Sequence, residues 1–196
     1  DYNKALAVDP AAPTALMNRA SALAKLHRHE EALSSYDRVL TIKPSFAPAL
    51  YNRGNVLLDM KRPLDALASY DKALACWPDY AEAFYNRGVA LRDLDCLEEA
   101  VESYRKAIAL KPGYAEALNS LGESLLKLHR LQEALQSLDT ALAIQPDFAG
   151  ALSNRANVLQ DLGRYEEALS SYDRALTIEP SFAPALYNRG NVLLDM

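Results

Sequence analysis

The sequence predicts an all-α fold, a solenoid of antiparallel helix pairs, and three observations predict it. Proline stands at 10, 44, 78, 112, 146 and 180, each 34 residues after the last. Small residues return with the same period, at Ala20, Gly54, Gly88, Gly122, Ala156 and Gly190 and again at Ala32, Ala66, Ala100, Ala134 and Ala168. Ser170 to Met196 repeats Ser34 to Met60 with two differences, at an offset of 136 residues, which is four periods of 34. A fixed period of this length marks an array of one supersecondary unit.

One unit shows why the elements are helices. In residues 81 to 114, AEAFYNRGVALRDLDCLEEAVESYRKAIALKPGY, apolar residues fall at Phe84, Leu91 and Leu94, then at Leu97, Ala100, Val101, Tyr104, Ala107 and Ile108. Both series have helical spacing. The first helix stops and the second starts between Leu94 and Leu97. Glu98 and Glu99 then sit in a first turn, where acids oppose the helix dipole. Pro112 ends the second helix, because proline cannot continue it and disfavours helical geometry at Lys111. Gly88 and Ala100 let the paired backbones approach, while Phe84 and Tyr104 fill the space around them. One helix pair cannot cover both its faces, so stability must come from stacking on neighbouring pairs.

Composition bounds the rest. With 196 residues, half of them hydrophobic, the chain can bury a core. Acidic residues outnumber Lys and Arg by 26 to 21, giving a net charge of −5, which argues against nucleic acid as a partner. Cys76 and Cys96 lack paired spacing, so neither a disulfide framework nor a zinc site is indicated. Free thiols fit a reducing, cytoplasmic setting. No apolar run approaches the roughly 18 residues of a membrane span, and DYNKALAVDP has no signal-peptide plan.

The period, the small residues at the eighth and twentieth places, the aromatic at the twenty-fourth (Tyr36, Tyr70, Tyr104 and Tyr172, with Leu138 in the column) and the proline at the thirty-second resemble a tetratricopeptide repeat array over essentially the whole chain. Full repeats then run over 13–46, 47–80, 81–114, 115–148 and 149–182, with a partial repeat at each end, 1–12 and 183–196. The fifteenth place, often glycine in the family, holds His27, Lys61, Asp95, His129 and Gly163, which implies a strained turn. The resemblance implies a right-handed superhelix whose concave side, lined by the first helix of every repeat, takes up extended peptides.

Nothing points to catalysis. There is no glycine-rich phosphate loop and no nucleophile elbow; His27, His29 and His129 lie at helix–helix turns, where no metal or cofactor is expected. On the first helices, the sixth place carries Asn18, Asn52, Asn86, Ser120, Asn154 and Asn188. An amide offers one donor and one acceptor group, so it can match a peptide unit without reading its side chain. This spacing is reminiscent of the asparagine ladder of O-linked N-acetylglucosamine transferases. Tyr51, Tyr85 and Tyr187 at the fifth place and Asn55, Asn157 and Asn191 at the ninth are further groove candidates. The alternative is that the asparagines bond their own helix ends or neighbouring repeats. A carboxylate clamp is not supported, since the second place holds Thr14, Pro48, Glu82, Glu116, Gly150 and Pro184.

A basic column, Arg19, Arg53, Arg87, Arg155 and Arg189, is interrupted by Leu121. Sixteen residues earlier stand Asn3, Asp37, Asp71, Asp139 and Asp173, with Arg105 where the arginine column breaks. This predicts four Asp–Arg pairs across repeat boundaries. Cys76 shares its column with Ile42, Leu110, Ile144 and Ile178 and is expected in the core; Trp77 aligns with Lys43, Lys111, Gln145 and Glu179 and is expected either at a contact surface or under the next turn.

The expected role is a protein-interaction scaffold without enzymatic activity. The alternatives are a substrate-recruiting arm of a glycosyltransferase and a self-assembling structural or engineered array. For the last, the final helix of one chain, 184–196, is expected to pack head to tail on residues 1–12 of the next, which resemble the segment SYDKALACWP that follows Ala47–Met60.

Overall fold

The structure, a computed structural model, describes Asp9 and residues 12–195. Among the described residues it holds eleven α-helices and no strand: α1 Pro13–Lys25, α2 His29–Ile42, α3 Ala47–Asp59, α4 Pro63–Cys76, α5 Ala81–Asp93, α6 Leu97–Leu110, α7 Ala115–Lys127, α8 Leu131–Ile144, α9 Ala149–Asp161, α10 Tyr165–Ile178 and α11 Ala183–Asp195. Starts of odd-numbered helices are 34 residues apart from α1 to α11, and so are those of even-numbered helices from α2 to α10. Proline opens α1, α3 and α4, where the missing N–H costs no bond. Acids occupy the first turns of α2, α6, α8 and α10.

The turns inside the pairs share one construction. His27, Lys61, Asp95, His129 and Gly163 have φ between 55° and 72°, so four non-glycine residues hold the left-handed conformation expected of the fifteenth place. The His27 N–H donates to the Ala24 carbonyl at 2.9 Å and the Arg28 N–H to the Leu23 carbonyl at 2.9 Å, a Schellman closure of α1. The corresponding bonds recur at Lys61, Asp95, His129 and Gly163. Arg28, Arg62, Arg130 and Arg164 follow these turns, and each pairs with an acid three residues on: Glu31, Asp65, Glu133 and Glu167.

The chain divides into two compact units, Asp1–Cys96 and Leu97–Met196. In the first, α1 packs on α2, α2 on α3, α3 on α4 and α4 on α5, and the first helices of successive repeats also touch, α1 on α3 and α3 on α5. Its core holds Leu16, Leu23, Tyr36, Val39, Val56, Leu57 and Tyr70. In the second unit the order from α6 to α11 is the same, with α7 touching α9 and α9 touching α11, around Leu118, Leu125, Leu138, Leu152, Leu159 and Tyr172. Within each unit the second helices do not touch one another, so the first helices lie innermost.

The small residues at the eighth place let the pairs close. A Cβ on Gly54 would come within 2.5 Å of Tyr70 Cε1, and one on Gly122 within 2.6 Å of Leu138 Cγ. Cys76, expected in the core, is exposed. Its column is a rim: Ile42, Leu110, Ile144 and Ile178, all in the last turn of a second helix, are 40–42% exposed. Trp77 is 47% exposed and partly covered, with one face stacked on Tyr80. Among the described residues, no helix is long and apolar enough to cross a membrane.

Candidate functional site

The odd-numbered helices present the asparagine column, and at three places its donors are already engaged. Asn86 Nδ2 donates to Asn55 Oδ1 at 2.9 Å and to Tyr51 Oη at 3.1 Å. Asn188 Nδ2 donates to Asn157 Oδ1 at 2.9 Å, and Asn154 Nδ2 to Asn119 Oδ1 at 2.9 Å. The acceptors are in turn held by the core: Tyr70 Oη donates to Asn55 Oδ1 at 2.7 Å and Tyr172 Oη to Asn157 Oδ1 at 2.5 Å. Each of these three amides therefore reaches back to the fifth or ninth place of the preceding repeat. The ladder is in part a staple between repeats: Asn86 gives two N–H bonds to the preceding repeat, and Asn154 and Asn188 one each.

Asn52 differs, for a reason legible in the preceding repeat. Its fifth and ninth places there are Met17, which has no oxygen acceptor, and Ser21, which is too short and is bonded to Tyr36 Oη at 3.2 Å. Among the described residues Asn52 makes no side-chain hydrogen bond, and it opens into a cleft of about 530 Å³ shared with Ser21, Lys25, His27, Asn55 and Asp59. This cleft combines a free amide, a hydroxyl and charges of both signs. Of its residues only Asn52 and Asn55 were groove candidates in the sequence. The others were signalled by Ser21 at the ninth place, where three other repeats carry asparagine.

The remaining candidates fall in different settings. Asn18 is exposed, while Asn191 and Tyr85 are half-buried. Tyr187 is 72% exposed. Tyr51 is packed among aromatic rings, 4.8 Å from Tyr80 and 6.1 Å from Tyr70 between centroids. Burial raises the phenols of this layer above their ordinary value: Tyr70, also beside Tyr51 and Asp59, goes up, and in the second unit Tyr172 is pushed up to about 12. These rings stay neutral donors to the asparagines. No group of three or more His, Cys, Asp or Glu that could hold a metal occurs among the described residues.

The four predicted Asp–Arg pairs form: Arg53–Asp37 and Arg87–Asp71 at 2.7 Å, Arg155–Asp139 and Arg189–Asp173 at 2.6 Å. Asn3, the remaining member of the column, lies outside the described residues. Three of the column's arginines also donate to a serine sixteen residues on, Arg19 to Ser35 at 2.8 Å and Arg53 to Ser69 and Arg155 to Ser171 at 2.7 Å, a partner the pairing argument missed. The column is thus consumed inside the array and does not make a phosphate stripe.

The tetratricopeptide repeat profiles match residues 1–45, 51–115 and 94–149, and again 149–182. The chain belongs to the tetratricopeptide repeat family. Its fold is similar to that of YrrB, described as a tetratricopeptide repeat protein with an unusual peptide-binding site, at 27% identity and a TM-score of 0.80 over 96% of this chain and 97% of that one. MamA is 26% identical with a TM-score of 0.79, over 87% and 93% of the two chains. A thermophilic tetratricopeptide repeat protein of Thermus thermophilus is 26% identical with a TM-score of 0.68, over 93% and 100%. No curated protein matches in sequence. The family and these likenesses support a protein-interaction scaffold, and the match is to a repeat family rather than a catalytic one.

Proposed function

We propose that the inner face of the first helices binds an extended polypeptide, with Asn52 as the anchor of the first unit. The observation that carries this is the release of the Asn52 amide into a cleft, while Asn86, Asn154 and Asn188 each commit at least one donor to the preceding repeat. A peptide unit meeting Asn52 gains two bonds of about 0.5–1.5 kcal/mol each. The association cost is about 4–15 kcal/mol. The carbonyls of the other asparagines, Asn55, and Lys25 and Asp59 as charge readers must therefore contribute too. YrrB, with a peptide-binding site on the same fold, is consistent with this. The unpaired cysteines fit work in a reducing, cytoplasmic setting. The test is an NMR titration of the chain with a peptide selected from a random library: the Asn52 side-chain NH2 signal moves first and furthest, whereas a shift confined to the even-numbered helices overturns the reading.

A second reading, head-to-tail self-association, is favoured by one comparison. Helices α3 and α11 have the same sequence, APALYNRGNVLLD. In α3, Leu50 and Leu57 are 5% and 1% exposed and Gly54 meets Tyr70; in α11, Leu186 and Leu193 are 52% and 50% exposed and a Cβ on Gly190 would meet nothing. The cover offered is residues 1–12 of a second copy, which lie mostly outside the described residues and whose Tyr2 aligns with Tyr70. Sedimentation should show concentration-dependent association that Gly190→Leu abolishes; a monomer at every concentration contradicts it.

A further inference from the structure

We propose that the open face of Trp77 is a docking point for an arginine side chain of a partner polypeptide, a contact beyond the groove just described. Trp77 caps the C-terminal end of α4 and is 47% exposed. Its covered face stacks on Tyr80, with ring centroids 4.5 Å apart and planes at 27°, and Tyr80 leans on Tyr51 at 4.8 Å. The indole is therefore held in place with one face toward water.

What belongs on that face is indicated by the next repeat. There Lys111 occupies the place of Trp77 and Tyr114 that of Tyr80, and Lys111 Nζ lies 4.3 Å from the Tyr114 ring centroid. This position thus carries a cation over an aromatic ring in one repeat. In the other, the cation is replaced by a larger and better π-surface that has no cation of its own sequence position to receive. Trp is the strongest of the aromatic faces for a cation. The surroundings add negative charge: Asp79 is exposed two residues on, and Glu82 opens the first turn of α5 close enough to act on Tyr80. The whole chain carries −5. Arginine is preferred to lysine because its guanidinium is flat and weakly hydrated, so it stacks on an indole while its N–H groups turn to the flanking carboxylates. A proline or aromatic side chain would use the ring and gain nothing from Asp79 and Glu82.

Trp77 is the chain's only tryptophan, so its emission reports the site directly. The full chain is titrated with acetylated, amidated hexa-arginine at physiological ionic strength, and with hexaproline in parallel. The expected result is a saturable change in Trp77 emission with hexa-arginine and, by calorimetry, binding weakened about five-fold or more in Trp77→Gln. Glutamine already stands at the equivalent Gln145, so the fold accommodates it. The double variant Asp79→Asn with Glu82→Gln is expected to weaken hexa-arginine as well, and the emission of Trp77, which reports this contact alone, separates it from the groove. Equal hexa-arginine affinity in Trp77→Gln and the parent chain, or hexaproline binding as well as hexa-arginine, overturns the proposal.

Discussion

Arg53 Nε donates to Asp37 Oδ1 at 2.7 Å while its Nη1 donates to Ser69 Oγ at 2.7 Å, so one guanidinium on α3 ties α2 of the preceding repeat to α4 of its own. Arg155 repeats the arrangement with Asp139 and Ser171. Where Leu121 replaces the arginine, Arg105 turns to Glu102 and Glu133 at 3.1 and 2.8 Å. The carboxylates are more than half exposed and the arginine side chains 22–37%, and surface pairs contribute about 0–1 kcal/mol each. Arg155→Leu, which puts at this place the residue found at Leu121, should therefore shift stability by no more than about 1 kcal/mol. Urea unfolding checks this; a loss of several kcal/mol would mean that the guanidinium is a main tie between repeats.

The left-handed residues give a second prediction. His129 has φ of 55° without being glycine, whereas Gly163 has φ of 72°. His129→Gly should stabilise by about 0.5–1 kcal/mol, and Gly163→Val should destabilise by about 1–2 kcal/mol. Thermal unfolding of the two variants reads opposite signs.

Core contacts around the eighth place predict larger effects. Tyr70 is fully buried, fills the space over Gly54 and holds Asn55, so Tyr70→Ala should cost about 3–5 kcal/mol. Gly54→Leu should also destabilise, by about 1–3 kcal/mol or more, because the added atoms meet the ring. Denaturant midpoints measure both.

Alkaline titration follows from the buried phenols. Tyr172 is pushed up to about 12 by burial, and Tyr70 is raised by burial, Tyr51 and Asp59. Folding keeps these rings neutral at pH values where the unfolded chain, with phenols near 10, has lost the proton. The stability they supply is complete below pH about 10 and is lost as pH rises toward 12. Absorbance of tyrosinate should show Tyr172 losing its proton only toward pH 12, with unfolding following in that window.

Much of the fold was legible because its signals repeat. Five or six copies of each column expose a constraint that one copy would hide, which is how the helix pairs, the strained fifteenth place and the Asp–Arg pairs could be named from residues alone. Averaging over copies was also the source of the misses. Cys76 followed an apolar column that proves to be a rim, since periodic hydrophobicity does not tell a last-turn position from a covered one. The asparagine column, broken at Ser120, gave no sign that its chemistry depends on the ninth place of the repeat before, Asn55 and Asn157 in two cases and Ser21 in another. That coupling spans 31 residues and becomes visible only when the first helices lie side by side.

The most direct measurement is the affinity of a peptide, selected on the parent chain from a random library, for Asn52→Ala and Asn86→Ala compared side by side. The account predicts a loss of about ten-fold for Asn52→Ala, equivalent to two amide bonds of modest strength, and a smaller loss for Asn86→Ala, whose donor already serves Asn55 and Tyr51. Undiminished binding by Asn52→Ala would contradict it.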